Sequence, residues 1–399
     1  MQSGWRIGSI LGIPLFLDTS WFIILLLVTF AYGSDPTWQN TWGPLAWGVG
    51  FVLALLLFSS VLLHELGHSL VARAQGIQVN SITLFLFGGI AAIEKESRTP
   101  GQAFQVAIAG PLVSFGLYLS LTLLITVAPL PLVAQTVLGN VAQINLVLTL
   151  FNLIPGLPLD GGQVLKAAVW KATQSRVKGI RWAARAGQFL GWGAIGLGVL
   201  AYLAKPSLDL IWIVLVGGFA VRNAAAYGRV ADLEDNLSQL TAADALSREF
   251  RVIDATQMVR SFAEEYLLQT ERAPAYFAAS DGRYRGLITL EAVQQLERST
   301  WDTTALRDIA QPLDSISTVR EQTPLAEVIN TLEQDSLKRI TVLTPADAVA
   351  GVIDRGDIVR AMAQNMNLPI SETLIQRIKD DGEYPPGLKL ASLAKALTD

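Results

Sequence analysis

"VLLHELGHSL", residues 61–70, places two histidines and a glutamate inside an apolar run, where polar groups are costly. His64 and His68 are the only two histidines in a chain of 399 residues. Two histidines scattered at random fall four positions apart on the order of once in two hundred placements, before Glu65 is considered. On a helix, positions i and i+4 share a face, so both imidazoles reach one metal ion while Glu65 lies beside it, placed to take a proton from water. That is the pattern of a zinc hydrolase. Hydrocarbon surroundings favour it over a merely structural pair, because an imidazole or carboxylate left unpaired there is expensive.

The rest of the chain supplies those surroundings. It is 51% hydrophobic and 16% charged, with a mean hydropathy of +0.40, too apolar for an ordinary soluble protein. The fold class expected is a multi-pass α-helical membrane protein followed by a soluble α/β part. About six transmembrane helices are expected, over 15–32, 45–72, 103–128, 133–155, 189–204 and 208–221, the last two being short. The first run is followed by "AYGSDP" and no small-residue cleavage site, so it reads as a retained helix rather than a removed signal. Nine of the ten tryptophans precede residue 213, as befits rings at bilayer interfaces. Residues 161–187 hold Lys166, Lys171, Arg176, Lys178, Arg181 and Arg185 with no acid, which puts that loop, the N-terminus and everything after residue 225 on the cytoplasmic side. A net charge of -4 argues for no nucleic-acid partner.

With no cysteine and no further histidine, the third ligand of a catalytic zinc must be a carboxylate. The apolar half and its margins offer Asp18, Asp160, Asp209, Glu94 and Glu96. Asp160 is the best placed. It ends "FNLIPGLPLDGG", where the fourth run breaks at Pro155, Gly156 and Pro158 on the side that carries the histidines. Irregular backbone at membrane depth is tolerated where protein or a water-filled cavity surrounds it, and hydrolysis needs such a cavity. "ITLFLFGGIAAIE", residues 82–94, is rich in β-formers with a Gly-Gly turn, and predicts a hairpin that dips into the membrane and pairs with an extended substrate.

"HELGH" at 64–68, "FGG" at 87–89, "AGP" at 109–111, "NLIPGLPLDGG" at 152–162 and the opening "GIPLFLDTSW" at 12–21 resemble the site-2 protease family of intramembrane zinc metalloproteases, over roughly residues 1–225. The resemblance implies one zinc ion per chain on His64, His68 and Asp160, with Glu65 as catalytic base. It also implies substrate contacts from Asn152, Pro155, Phe87, Gly88 and Gly89, and a substrate that is the transmembrane segment of a membrane-held regulatory protein. Ser114 departs from the pattern, "AGPLVN" being more usual, and is expected to touch no ligand.

The second half reads as duplicated. "GLITLEAVQQL" at 286–296 and "GVIDRGDIVRAM" at 351–362 superimpose with an offset of 65 residues, each after an apolar strand and each leading into a helix. The pattern looks like tandem CBS (cystathionine-β-synthase) domains, over about 241–299 and 305–365. The domains expected are thus a membrane metalloprotease part over 1–227, a polar linker over 228–240, the CBS pair and a tail over 366–399. Such pairs often bind adenine nucleotides through the Thr and Asp of "GxxTxxD". Here the first repeat keeps Thr289 but has Ala292, and the second has Asp354 and keeps Asp357, so neither site is whole and a ligand-free regulatory or dimerising module is the competing reading. A homodimer through these domains is a further expectation. Because CBS pairs also hang from channels and transporters, the alternative function is a CBS-regulated membrane metal-ion transporter. Glu65 discriminates, since only hydrolysis requires it as an unligated base.

Overall fold

The computed structural model describes residues 4–85, 88–94, 97–267, 275–385 and 387–398, and of residues 208 and 209 the backbone alone. The chain opens with two antiparallel strands, β1 (Trp5–Ile10) and β2 (Ile13–Leu17). In β2, Ile13, Leu15 and Leu17 are buried while Pro14 and Phe16 are less so, the period of two that a strand shows with one face on a core. The apolar run beginning at residue 15 therefore divides. Its start belongs to β2, and Asp18, which accepts from the Ser20 backbone and hydroxyl, turns the chain into α1 (Ser20–Gly33). With 14 residues, α1 is about 21 Å long, short of the roughly 30 Å of a hydrocarbon core.

A short α2 (Pro36–Trp42) leads into α3 (Leu45–Ala74), which carries the histidines. The predicted hairpin follows as β3 (Val79–Phe85) and β4 (Gly88–Ile93), and the sheet order is β1-β2-β3-β4, with β4 at one edge. Its inner face, Ile13, Leu15, Leu17, Ile82 and Leu84, packs on Trp21 and Leu25 of α1 and on Ala54, Phe58 and Leu66 of α3. Then come α4 (Pro100–Val127), α5 (Leu132–Asn152), α6 (Asp160–Thr173), α7 (Arg176–Ala204) and α8 (Leu208–Gln239). Among the described residues α3, α4, α5, α7 and α8 are long and apolar enough to cross a membrane. The stretch 161–187, expected as a basic loop, is largely helical: "QVLKAAVWKAT" holds no glycine or proline to stop α6, and Ser175 caps the start of α7.

The chain divides into two compact units, Met1–Ala231 and Asp232–Asp399. Of residues 228–240, expected as a linker, 228–239 continue α8. No glycine or proline follows Gly228 there, and Leu233, Leu237 and Leu240 recur at helical spacing and join the second unit's core. In that unit β5 (Phe250–Asp254), α9 (Val259–Phe262), β6 (Ala275–Ser280), β7 (Arg283–Ile288) and α10 (Leu290–Gln295) are followed by β8 (Thr318–Arg320), α11 (Leu325–Gln334), β9 (Arg339–Leu343), β10 (Val349–Asp354) and α12 (Arg355–Asn365). Each half is a three-stranded sheet whose first pair is parallel and second antiparallel. The offset of 65 seen in the sequence returns in space. Thr289 and Asp354 are the N-caps of α10 and α12, and Leu287 and Val352 each exchange two backbone hydrogen bonds with the segment that enters the other half, at Gln311 and Ser247. Residues 366–399, expected as a tail, instead form α13 (Glu372–Asp381) and α14 (Leu390–Thr398), whose Ile375, Ile378, Leu390 and Ala394 are buried in the core with α11 and α12. Their apolar residues fall on one helical face, which must be covered.

Candidate active site

His64 and His68 are 4% and 8% exposed, one turn apart on the face of α3 that meets α4. Their Nε2 atoms are 3.3 Å apart, and Oδ2 of Asp160 lies 3.0 Å from the first and 3.2 Å from the second. Asp160 arrives as the first residue of α6, after the irregular stretch 153–159. That stretch is tied to α7: Leu157 is buried against Ile180, Ala183 and Ala184, and its N–H donates to the Ala183 carbonyl at 3.2 Å. Glycines permit the fit. A Cβ on Gly161 would strike the Leu153 carbonyl, one on Gly162 the Gly156 backbone, and one on Gly187 the Leu157 carbonyl.

This donor set fits zinc. Bonds of about 2.0–2.2 Å at tetrahedral angles set ligand atoms about 3.3–3.6 Å apart, within a few tenths of the observed triangle. The His68 Nδ1–H donates to the Val106 carbonyl at 2.7 Å, an oxygen that can only accept, so the Nε2 lone pair faces His64 Nε2 and Asp160 Oδ2. Where both Nε2 atoms are unprotonated, two lone pairs and a carboxylate oxygen converge at 3.0–3.3 Å, a repulsion that a cation among them would relieve.

Glu65 is outside the triangle, half-buried beside Ala91 of β4. Gly89 is part of this contact, since a Cβ there would collide with Cγ of Glu65. Gly88, the first residue of β4, has φ +134°, a conformation that side chains resist. The edge of β4 thus runs beside the one carboxylate of the site that is free of the triangle. Of the other candidates, Phe87 lies outside the described residues; Asn152 is half-buried at the end of α5, and Pro155 is exposed in the loop before Asp160.

One expectation is overturned, and two residues were missed. Ser114, expected to touch no ligand, is fully buried on α4 with its Oγ 2.9 Å from Nδ1 of His64. Four residues earlier, Gly110 lies under both rings: a Cβ there would sit 2.6 Å from Nε2 of His64 and closer still to that of His68. Four earlier again is Val106, whose carbonyl holds His68. The signal available in the sequence was the four-residue spacing of a glycine and a small hydroxyl within an apolar run. Beyond the histidines on α3, the fully buried Asn145 of α5 donates to Ser60 Oγ at 2.9 Å, and so extends the polar face by one more turn.

In the second unit the candidate nucleotide residues are in use. The Thr289 hydroxyl accepts from the Ala292 N–H as cap of α10. Asp354 and Asp357 are buried and cap α12 reciprocally. Their remaining oxygens meet Lys379 of α13, whose fully buried Nζ lies 2.6 Å from Asp357 Oδ1, 3.5 Å from Asp354 Oδ2 and 2.8 Å from Glu249 Oε1. Burial pulls the Lys379 ammonium down, but its bonds to Asp357 and Glu249 outweigh that and hold it above the ordinary lysine value.

The family model described as Peptidase family M50 matches residues 52–130 and 132–193, and that of the CBS domain matches 306–364. The chain is 42% identical over 364 residues to "Putative zinc metalloprotease sll0528" of Synechocystis sp., covering 91% of this chain and 96% of that one. It is 32% identical over 368 residues to "Putative zinc metalloprotease Rip3" of Mycobacterium tuberculosis, covering 90% and 93%. Among solved structures, the site-2 protease from Methanocaldococcus jannaschii aligns at 30% identity with a TM-score of 0.42, over 56% of this chain and 95% of that one.

Proposed function

The chain belongs to peptidase family M50, the site-2 proteases, and from that premise we propose that it is a zinc-dependent endopeptidase hydrolysing peptide bonds within the membrane, with His64, His68 and Asp160 as ligands of one zinc ion and Glu65 as general base. The observation that carries this reading is the closed triangle of ligand atoms with Glu65 beside it but outside it, at the edge of a strand. A zinc ion on these ligands supplies Lewis acidity, making water more acidic and a peptide carbonyl more electrophilic. Glu65 takes the proton from the attacking water as its hydroxyl adds to the carbonyl carbon. It then delivers that proton to the amide nitrogen as the C–N bond breaks, leaving a carboxyl and an amine. In the transporter alternative Glu65 would serve as a further ligand, and its place against β4 argues for the base instead.

The substrate is the transmembrane segment of a membrane-anchored regulatory protein, taken in extended form. A helix keeps its amides in internal hydrogen bonds, so the segment unwinds and adds to the edge of β4, with Gly88 and Gly89 allowing close approach and Asn152 and Pro155 meeting it from the α5 side. The first unit lies in the bilayer with the N-terminus and the second unit cytoplasmic, in keeping with the basic residues of 161–187. The second unit, a CBS pair over about 241–299 and 305–365, regulates cleavage and forms the contact of a homodimer. Its candidate effector is an adenine nucleotide, which in the second half has to displace Lys379 from Asp354 and Asp357.

The test is cleavage of a tagged membrane-spanning reporter by the wild type and by Glu65→Gln, with zinc quantified in both. Near one zinc per chain in both and cleavage lost only in the variant is the expected result. Metal crossing the bilayer, with no reporter cleaved, would favour the transporter.

A further inference from the structure

The two ligand histidines are oriented by different means. His68 is held through Nδ1 by a backbone carbonyl, which no substitution removes; His64 is held by a side chain, the hydroxyl of Ser114. Val106, Gly110 and Ser114 recur every four residues on α4, and so form one stripe that faces His64 and His68 on α3. In this arrangement Val106 backs His68, Gly110 leaves space for both rings, and Ser114 backs His64.

We propose that Ser114 is a positioning residue for zinc, its oxygen accepting from the Nδ1–H of His64 and so keeping the Nε2 lone pair turned toward His68 and Asp160. The proposal rests on the zinc reading above and deepens it. The opposite tautomer would put a proton on Nε2 within 3.0–3.3 Å of Asp160 Oδ2 and His68 Nε2, in the place a metal needs. Ser114 is fully buried against the ring it meets. Partners of this kind set both the tautomer and the angle of a ligand ring, and their loss costs about 10–100-fold in metal affinity.

The experiment uses the full-length protein in detergent and a matched pair, Ser114→Thr and Ser114→Val. The two have nearly the same shape and differ by a hydroxyl against a methyl, so overpacking at this buried site affects both alike. Zinc affinity is measured by chelator competition, and the visible spectrum of the cobalt(II)-loaded proteins reports ligand geometry independently of cleavage. His64→Ala is the control. Ser114→Val, and with it Ser114→Ala, is expected to bind zinc about 10–100-fold more weakly than Ser114→Thr and to show an altered cobalt spectrum, while Ser114→Thr stays within a few-fold of wild type. If the threonine and valine variants bind alike with the same spectrum while His64→Ala abolishes binding, the proposal fails and the zinc site stands. If His64→Ala binds zinc as the wild type does, the metal site itself is wrong and the proposal falls with it.

Discussion

Gly110→Ala is the most economical perturbation of this site, because it alters none of the four residues assigned to chemistry. The added Cβ would stand 2.6 Å from Nε2 of His64, about 0.8 Å short of the 3.4 Å at which ordinary contact begins, and nearer still to the ring of His68. Neither ring is free to swing aside, since each is held at Nδ1, one by Ser114 and the other by the Val106 carbonyl. Metal sites tolerate errors of about 0.2 Å in ligand distance. A displacement several times larger should cost at least the roughly 100-fold in zinc affinity seen when supporting partners are lost, plus about 1–3 kcal/mol of overpacking strain. Zinc per chain by atomic absorption, affinity by chelator competition and reporter cleavage should fall together. A variant that keeps wild-type zinc affinity and cleaves normally would refute the placement of Gly110 under the imidazoles, and with it the packing of α4 on α3.

Gly187→Val, far from the histidines in sequence, should also lose zinc: its side chain would strike the Leu157 carbonyl and push out the stretch that delivers Asp160, and retention of one zinc per chain would contradict that anchoring. Phe85→Pro, beside the hairpin turn, should leave zinc content intact but cut reporter cleavage by about tenfold or more, because proline removes a donor and disturbs the strand pair that carries β4; undiminished cleavage would count against strand addition. Lys379→Met leaves Glu249, Asp354 and Asp357 facing one another without their buried ammonium, a loss of about 3–5 kcal/mol, and should lower the melting temperature of the second unit by on the order of 10 °C. The same ammonium gives that unit an alkaline limit. A lysine raised in the folded state stabilises fully below its unfolded value, about 10.4, and ceases to do so as the pH climbs through the raised one, so wild type should lose melting temperature there more steeply than Lys379→Met.

What could be read from the sequence is what depends on neighbours along the chain. The facing of His64 and His68 follows from 3.6 residues per turn, the long apolar helices from their length, the β3–β4 pair from its two runs of β-formers, although Gly88 and Gly89, expected as the turn, are paired residues of β4, and the duplicated halves from an offset of 65 residues that reappears in their helix caps. Elimination narrowed the expected third ligand to a carboxylate, and the broken run that ends at Asp160 singled it out among five candidates. The split of the first apolar run into β2 and α1 was less legible, since five alternating residues in an apolar context look like part of a span until a sheet partner fixes their register. Only the tertiary structure could show that Ser114 holds His64, that Gly110 makes room for both rings, that β4 brings its edge to Glu65, and that Lys379 from a supposed tail fills the space between Asp354 and Asp357. Each of these is a contact between segments tens of residues apart or more. A local pattern says which face of an element is buried, but which partner covers that face is decided by the packing of the whole unit, where volume and buried hydrogen bonds must be satisfied together.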